Sequence, residues 1–142
     1  MQLIVDTNIL LSAIIKNSNS RLILLHPNFE FFMPEYALEE FIKHRDVIVR
    51  KSGLKPNDLD ILIGLIFENV ITIPISSFAK HISRAQEIMN DIDPNDSPFI
   101  ALALSFQNDG IWTQDKDFDR QSVIRVWKTH QLLEVRKEGR IR

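Results

Sequence analysis

Cysteine is absent from this chain of 142 residues, which excludes a disulfide framework, a thiolate metal site and a thiol nucleophile together. Any metal must therefore be held by oxygen or imidazole. Glycine is scarce, at 4 residues, and no glycine-rich loop followed by lysine occurs, which argues against a phosphate-cradling nucleotide hydrolase. No apolar run approaches the roughly 20 residues that cross a bilayer. The N-terminus also lacks the basic flank of a signal peptide, so a soluble, cytoplasmic protein is expected. Charge of one sign is not in excess: the formal net charge of -2 supplies no global field for nucleic acid, and an anionic partner needs a local basic surface. The histidines, His26, His44, His81 and His130, have no metal-ligand spacing. Internal repeats, linkers and low-complexity stretches are missing as well.

What remains is an ordinary globular composition, 44% hydrophobic and 25% charged, of a length that fits a single domain over residues 1–142. Leu3-Ile4-Val5 is an apolar, β-branched run that leads directly into Asp6-Thr7-Asn8. It reads as the first strand of an α/β sheet. A helical spacing over 9–15 follows, and the polar stretch Asn17-Ser18-Asn19-Ser20 breaks it. Residues 29–33 form a second strand ending at Pro34. Leu38, Phe41, Ile42 and Val47 then predict an amphipathic helix over 35–50. Pro56-Asn57-Asp58 starts another helix, residues 70–74 give a third strand, and 78–89 a helix. A loop rich in Asp, Asn and Pro precedes a strongly helical segment at 97–106. Residues 110–113 and 123–127 supply two further strands, with Trp112 and Trp127 as core side chains, and a polar, basic tail closes the chain. Strands alternating with helices predict a three-layer α/β/α sandwich with a central, mainly parallel sheet of five strands.

Mapped onto these elements, the acids fall where strands end. Asp6 ends the first strand, Glu39 or Glu40 lies early in the helix after the second, Asp96 begins the helix after the loop, and Asp115 and Asp117 follow the fourth strand. Parallel strands bring their carboxyl ends to one edge of the sheet, so these carboxylates are expected to converge in one cleft. Packed carboxylates repel one another unless a cation neutralises them, and Mg²⁺ or Mn²⁺ suits an all-oxygen site. Such a cation can activate water towards a phosphodiester. Each acid also has a plainer reading. Asp6 and Asp96 are good helix caps, the latter followed by Ser97 and Pro98; Asp115, Asp117 and Asp119 can be a solvated turn; Glu39 and Glu40 can be surface charges.

The motifs together resemble a known family. Val5-Asp6-Thr7-Asn8 is similar to the opening of PIN-domain ribonucleases, residues 93–103 (Asp93-Pro94-Asn95-Asp96-Ser97-Pro98-Phe99-Ile100-Ala101-Leu102-Ala103) to their central motif, and Trp112-Thr113-Gln114-Asp115-Lys116-Asp117-Phe118 to their late one. The segment from Pro34 to Phe41 fits the place of the family's helix-borne glutamate. The resemblance spans nearly the whole chain in the right order. It implies a Mg²⁺- or Mn²⁺-dependent endoribonuclease, often the toxin half of a toxin–antitoxin pair, with RNA, a cognate antitoxin protein and a second copy of the chain in a homodimer as partners. It implies that Asp6 and Asp96 form the metal-binding core, with Asp115 and Asp117 as further metal ligands that compete for the fourth acid position, and that Asp6, Glu40, Asp96 and Asp115 are the catalytic acids. Glu40 is preferred to Glu39 because the apolar Phe41 follows it. Asn8 and Thr113 are similar to the family's polar helpers, and Asp93 is either a supporting acid or part of the loop.

Lys43-His44-Arg45, with Arg50 and Lys51, makes the helix after the glutamate locally basic and offers a surface for RNA phosphates; a solvated helix face is the competing reading. The tail from Arg136 to Arg142 is either an RNA-contacting arm or a frayed end. Among rivals, a receiver-like domain needs an acceptor Asp at the end of its third strand, and residues 70–77 contain none. An aspartate-nucleophile phosphatase needs a second Asp where Asn8 stands. The alternative to an enzyme is a PIN-like scaffold that binds RNA or protein without cleaving.

Overall fold

A strand as apolar as Leu3-Ile4-Val5 is stable only where both faces are covered, and it lies in the middle of the sheet. The computed structural model describes residues 1–16 and 19–137. In it β1 (Gln2–Val5) buries all three of these side chains completely. It lies between β2 (Glu30–Pro34) and β4 (Ile111–Trp112), with β3 (Val70–Ile73) and β5 (Val126–Trp127) outside them, in the order β3-β2-β1-β4-β5. Every pairing is parallel, with Ile4 opposite both Phe32 and Ile111, and Val5 opposite Trp112.

The helices fall into two groups. On one side α1 (Thr7–Ile15) packs with α2 (Asn19–Leu24), α4 (Arg45–Ser52) and α5 (Pro56–Phe67), and α2 also meets α8 (Thr129–Lys137). On the other, α6 (Ile82–Met89) and α7 (Ser97–Ser105) pack together, with α7 against β1 and β2. Two helical layers enclosing a parallel sheet make the three-layer α/β/α sandwich that the alternating pattern predicts. Trp112 and Trp127 are buried as expected, their indole N–H groups donating to Thr129 Oγ1 at 3.0 Å and to the Asp109 carbonyl at 2.8 Å. No helix among the described residues is long and apolar enough to cross a membrane.

Five features depart from the sequence reading, the first being the last strand, expected over 123–127 and formed only at Val126–Trp127 because the Gln121 side chain engages both backbone groups of Ile124. The helix expected over 35–50 is two helices, α3 (Glu35–Lys43) and α4, separated at His44, whose φ of -98° and ψ of 18° leave the helical ladder. The cause is tertiary: α3 packs on β2 and β3, whereas α4 packs on α1 and α5. Arg45 fixes the second direction by gripping Asp60 of α5 through two 2.9 Å hydrogen bonds. Ile42 and Val47, which the helical spacing placed on the apolar face, are consequently exposed. The helix expected over 78–89 is α-helical only from Ile82, after 3₁₀ turns at Ile75–Ser77 and Ala79–His81 that flank the buried Phe78. Asn19 and Ser20, read as part of a break, begin α2, and Arg21 then donates from Nε to the Ala13 carbonyl at 2.8 Å; Asn17 and Ser18 lie outside the described residues. The polar tail contains α8, which buries Leu132 and Val135. Residues 138–142 of that tail lie outside the described residues.

Gly110, entering β4, is the one place where the sheet demands glycine. Its φ is +125°, and a Cβ there would collide with the carbonyl oxygen of Arg125 on the chain entering β5. Both the backbone strain and the clash fall on a ladder only two residues long. Gly110→Ala is expected to destabilise the fold by at least about 2 kcal/mol, read as a lowered midpoint in urea with an unchanged slope.

The strand order reverses its direction of growth between β1 and β4. In open α/β sheets a crevice opens there, outside the carboxyl ends of the strands.

Candidate functional site

Asp6 and Thr113 are the first residues past β1 and β4, so the adjacency of the two strands sets them side by side. The Asp6 N–H donates to the Trp112 carbonyl at 3.1 Å, and the Thr113 hydroxyl donates to Asp6 Oδ2 at 2.8 Å. Both residues are buried. The same hydroxyl accepts the Asp115 N–H at 3.0 Å, and Asp115 Oδ1 accepts the Asp117 N–H at 2.9 Å. One hydrogen-bonded run thus connects Asp6 to Asp117, and it accounts for the acids standing two residues apart: Asp115 caps the 3₁₀ turn Lys116–Arg120.

Asp96 arrives from the opposite layer. Asp93 accepts the Asn95 N–H at 3.0 Å and thereby starts the 3₁₀ turn Pro94–Asp96, which delivers Asp96 to the head of α7. Asp6 and Asp96 occupy the N-cap positions of α1 and α7, yet neither side chain makes a capping hydrogen bond. The plain reading as a cap therefore fails for Asp96, whereas at Asp6 the N–H groups of Asn8 and Thr7 still act on the carboxylate beside the Thr113 hydroxyl. Asp6 is engaged by Thr113, and Asp96 Oδ2 is buried with no partner among the described residues, as is the neighbouring Ser97 Oγ. A buried carboxylate oxygen without a partner is costly, and this one lies among other acids. One carboxylate oxygen each from Asp93, Asp96 and Asp117 all lie within 4.8 Å of one another.

The electrostatics follow. Desolvation, then the charges of Asp93, Asp6, Asp115 and Asp117, push the Asp96 carboxyl up to about 7. Burial raises Asp6 as well; the Thr113 hydrogen bond and the nearby N–H of Asn8 oppose this, and the Asp115 charge reinforces it. Tyr36, in the first turn of α3, is pushed up to about 12 by desolvation and by the charges of Asp96, Asp6 and Glu40. Glu40 therefore belongs to the same field. It also lines a groove with Thr7, whereas Glu39 lines a different one, with Tyr36 and Ile75. Successive positions on a helix point about 100° apart, which is why the two glutamates open onto different grooves. Asn8 is exposed at the first turn of α1.

The donor set is oxygen alone, its central acids are held away from their ordinary ionisation, and one buried oxygen has no protein partner. That combination fits a hard divalent cation. Of the basic residues read as an RNA surface, Lys43 is exposed, the His44 Nε2 lies 3.7 Å from Glu40 Oε2, and Arg45 is occupied by Asp60. The sequence reading did not single out Tyr36 or the unpartnered Ser97 hydroxyl, and it gave Asp93 a supporting place. Tyr36 stands four residues before Glu40, one helical turn away on the same face, and that spacing was the available signal.

The family model described as the PIN domain matches residues 4–137, nearly the whole chain. The chain belongs to the PIN-domain family. No curated protein matches it significantly. PIN domains are generally nucleases and usually use divalent metals, and in this PIN domain the acidic group lies at the sheet edge where the first and late motifs meet.

Proposed function

We propose that this PIN domain is a Mg²⁺- or Mn²⁺-dependent endoribonuclease that hydrolyses RNA phosphodiester bonds with water. The observation that carries the reading is Asp96, whose Oδ2 is buried with no hydrogen-bond partner among the described residues and whose carboxylate groups with those of Asp93 and Asp117. Asp6 and Asp96 are assigned as the principal metal ligands, with Asp115, Asp117 and Asp93 completing or bracing the set. When bound, the cation supplies charge neutralisation and polarises both the phosphodiester and the attacking water. Thr113 orients the Asp6 carboxylate and blocks its rotation, leaving one oxygen of Asp6 for the cation. Glu40 is assigned to accept the proton of the water whose oxygen bonds to phosphorus as the ester P–O bond breaks; the departing oxygen takes a proton from solvent. The proposal covers RNA hydrolysis by a single domain.

The test is cleavage of a mixed RNA pool with Mn²⁺, Mg²⁺ or EDTA, comparing the chain with Asp96→Asn. Cleavage is expected with either metal, none with EDTA, and a loss of about 10³-fold in the variant. Equal cleavage by the variant would refute the site. RNA that is bound but never cleaved would leave the binding-scaffold reading in its place.

A further inference from the structure

Of the aromatic side chains in this chain, all of which lie among the described residues, one is exposed. It is Tyr36, at 41%, and it stands beside the acidic centre. We infer that Tyr36 is a stacking platform for an unpaired nucleobase of the RNA substrate, in the groove it forms with Pro74, Ile75 and Phe78. This inference rests on the endoribonuclease reading and names a substrate contact within it.

The groove holds about 350 Å³ and is walled by Tyr36, Pro74, Ile75 and Phe78, with Glu35 and Glu39 also lining it. Its position follows from the sheet. Pro34 and Ile73 are register partners at the carboxyl ends of β2 and β3, so the residues that leave these two strands, Tyr36 and Ile75, face the same edge as Asp6 and Thr113. Tyr36 bridges the two places. Its ring meets Phe99 edge-on, with centroids 6.4 Å apart and planes at 63°, and Phe99 lies three residues beyond Asp96 on α7. The ring thus rests on one of the elements that builds the acidic centre, and Tyr36 also lines the groove while remaining 41% exposed.

Chemistry selects the occupant. Ile75 is 65% exposed and lines the same groove as Tyr36, so it adds apolar surface beside the ring. Glu35 and Glu39 repel phosphate from this groove, so the backbone of a bound strand is kept at the cation and the neutral part of a nucleotide is what the groove admits. Single-stranded RNA is the nucleic acid whose bases are free to swing out onto an aromatic ring, and such stacking tolerates different bases. The hydroxyl, like any tyrosine hydroxyl near neutral pH, adds a donor and no charge.

The test is binding of a fluorescein-labelled single-stranded RNA, read by anisotropy with Mn²⁺ in the Asp6→Asn background so that nothing is cleaved, with one abasic position walked along the oligonucleotide. Tyr36→Ala is expected to weaken binding roughly tenfold or more, Tyr36→Phe to stay within about twofold, and Ile75→Ser to weaken it in the same direction. One abasic position should weaken binding to the chain carrying Tyr36 and have no further effect on Tyr36→Ala. Equal affinity of Tyr36 and Tyr36→Ala, or abasic sensitivity that survives in Tyr36→Ala, overturns the inference. Insensitivity to abasic substitution at every position does so too and points to a protein side chain as the occupant. With Asp6 intact, Tyr36→Ala should raise KM and leave kcat unchanged. The nuclease reading fails separately, by absence of metal-dependent cleavage in the chain that retains both Asp6 and Tyr36.

Discussion

Asp6→Asn is expected to lower RNA cleavage by about 10³-fold or more while the melting temperature stays the same or rises. The substitution is nearly isosteric and keeps an oxygen that can accept the Thr113 hydroxyl at the observed 2.8 Å, so the hydrogen-bonded run to Asp117 survives. What disappears is the negative charge. Burial already disfavours that charge, which is why the Asp6 carboxyl is raised above its ordinary value. Removing it therefore relieves the metal-free fold above the usual carboxylate range and has little effect below it. Function moves the other way, because a neutral amide is a poor ligand for a hard cation and leaves the transition-state charge on phosphorus uncompensated. Asp6→Ala would not separate the two effects, since it strands the buried Thr113 hydroxyl without its acceptor. Thermal melting and cleavage rates on the same preparation decide the matter: undiminished cleavage would remove Asp6 from the site, and a collapsed melting temperature would make it a structural residue.

Much of this arrangement was legible from one chain. The buried strand at residues 3–5, the apolar runs at 29–33 and 70–73, and the helical spacing of 97–106 each carry their own periodicity, and a parallel sheet follows once strands alternate with helices. Expecting Asp6, Glu39 or Glu40, Asp96, Asp115 and Asp117 at one edge needed only the rule that parallel strands share a carboxyl end, and the preference for Glu40 came from the family resemblance. What was not legible depends on tertiary direction. An Asp that caps a helix and an Asp that serves a crevice occupy the same position in sequence, and only the rotation of the carboxylate distinguishes them; at Asp96 it makes no capping hydrogen bond. The break at His44 is invisible for the same reason. Nothing local forbids helix there, and the chain bends because α3 and α4 answer to different neighbours. Within α8 only Leu132 and Val135 are buried, too few for a periodic signal among so many charges. Asp93 looked like loop punctuation because it is that as well: its carboxylate starts the turn that carries Asp96 and also lies within reach of it.

Asp96 makes the pH dependence of stability a reporter of the metal. Its carboxyl is raised from the usual 3.8 to about 7, so between those two values the native chain holds a proton there that the unfolded chain has released. The stability this confers is complete below the unfolded value and is lost as pH rises through about 7. A shift of that size corresponds to about 4 kcal/mol at full burial; Asp96 is partly open to solvent, which brings the expected effect to about 1–2 kcal/mol. In the absence of metal, Asp96→Asn should therefore melt together with the parent near pH 4 and about 3–8 °C above it at pH 8. Mn²⁺ at pH 8 should reverse the order, because a ligand that binds only the folded chain stabilises it, by about 2.7 kcal/mol at a hundred times its dissociation constant, and the variant has lost the ligand. A gap between parent and variant that ignores pH would mean that desolvation at Asp96 is not what raises it. Equal stabilisation of both by Mn²⁺ would place the cation elsewhere. If both trends appear together, the repulsion among the acids and the affinity for the cation are one property measured from two sides, and the buried oxygen that no protein group satisfies is kept because the metal-bound state satisfies it.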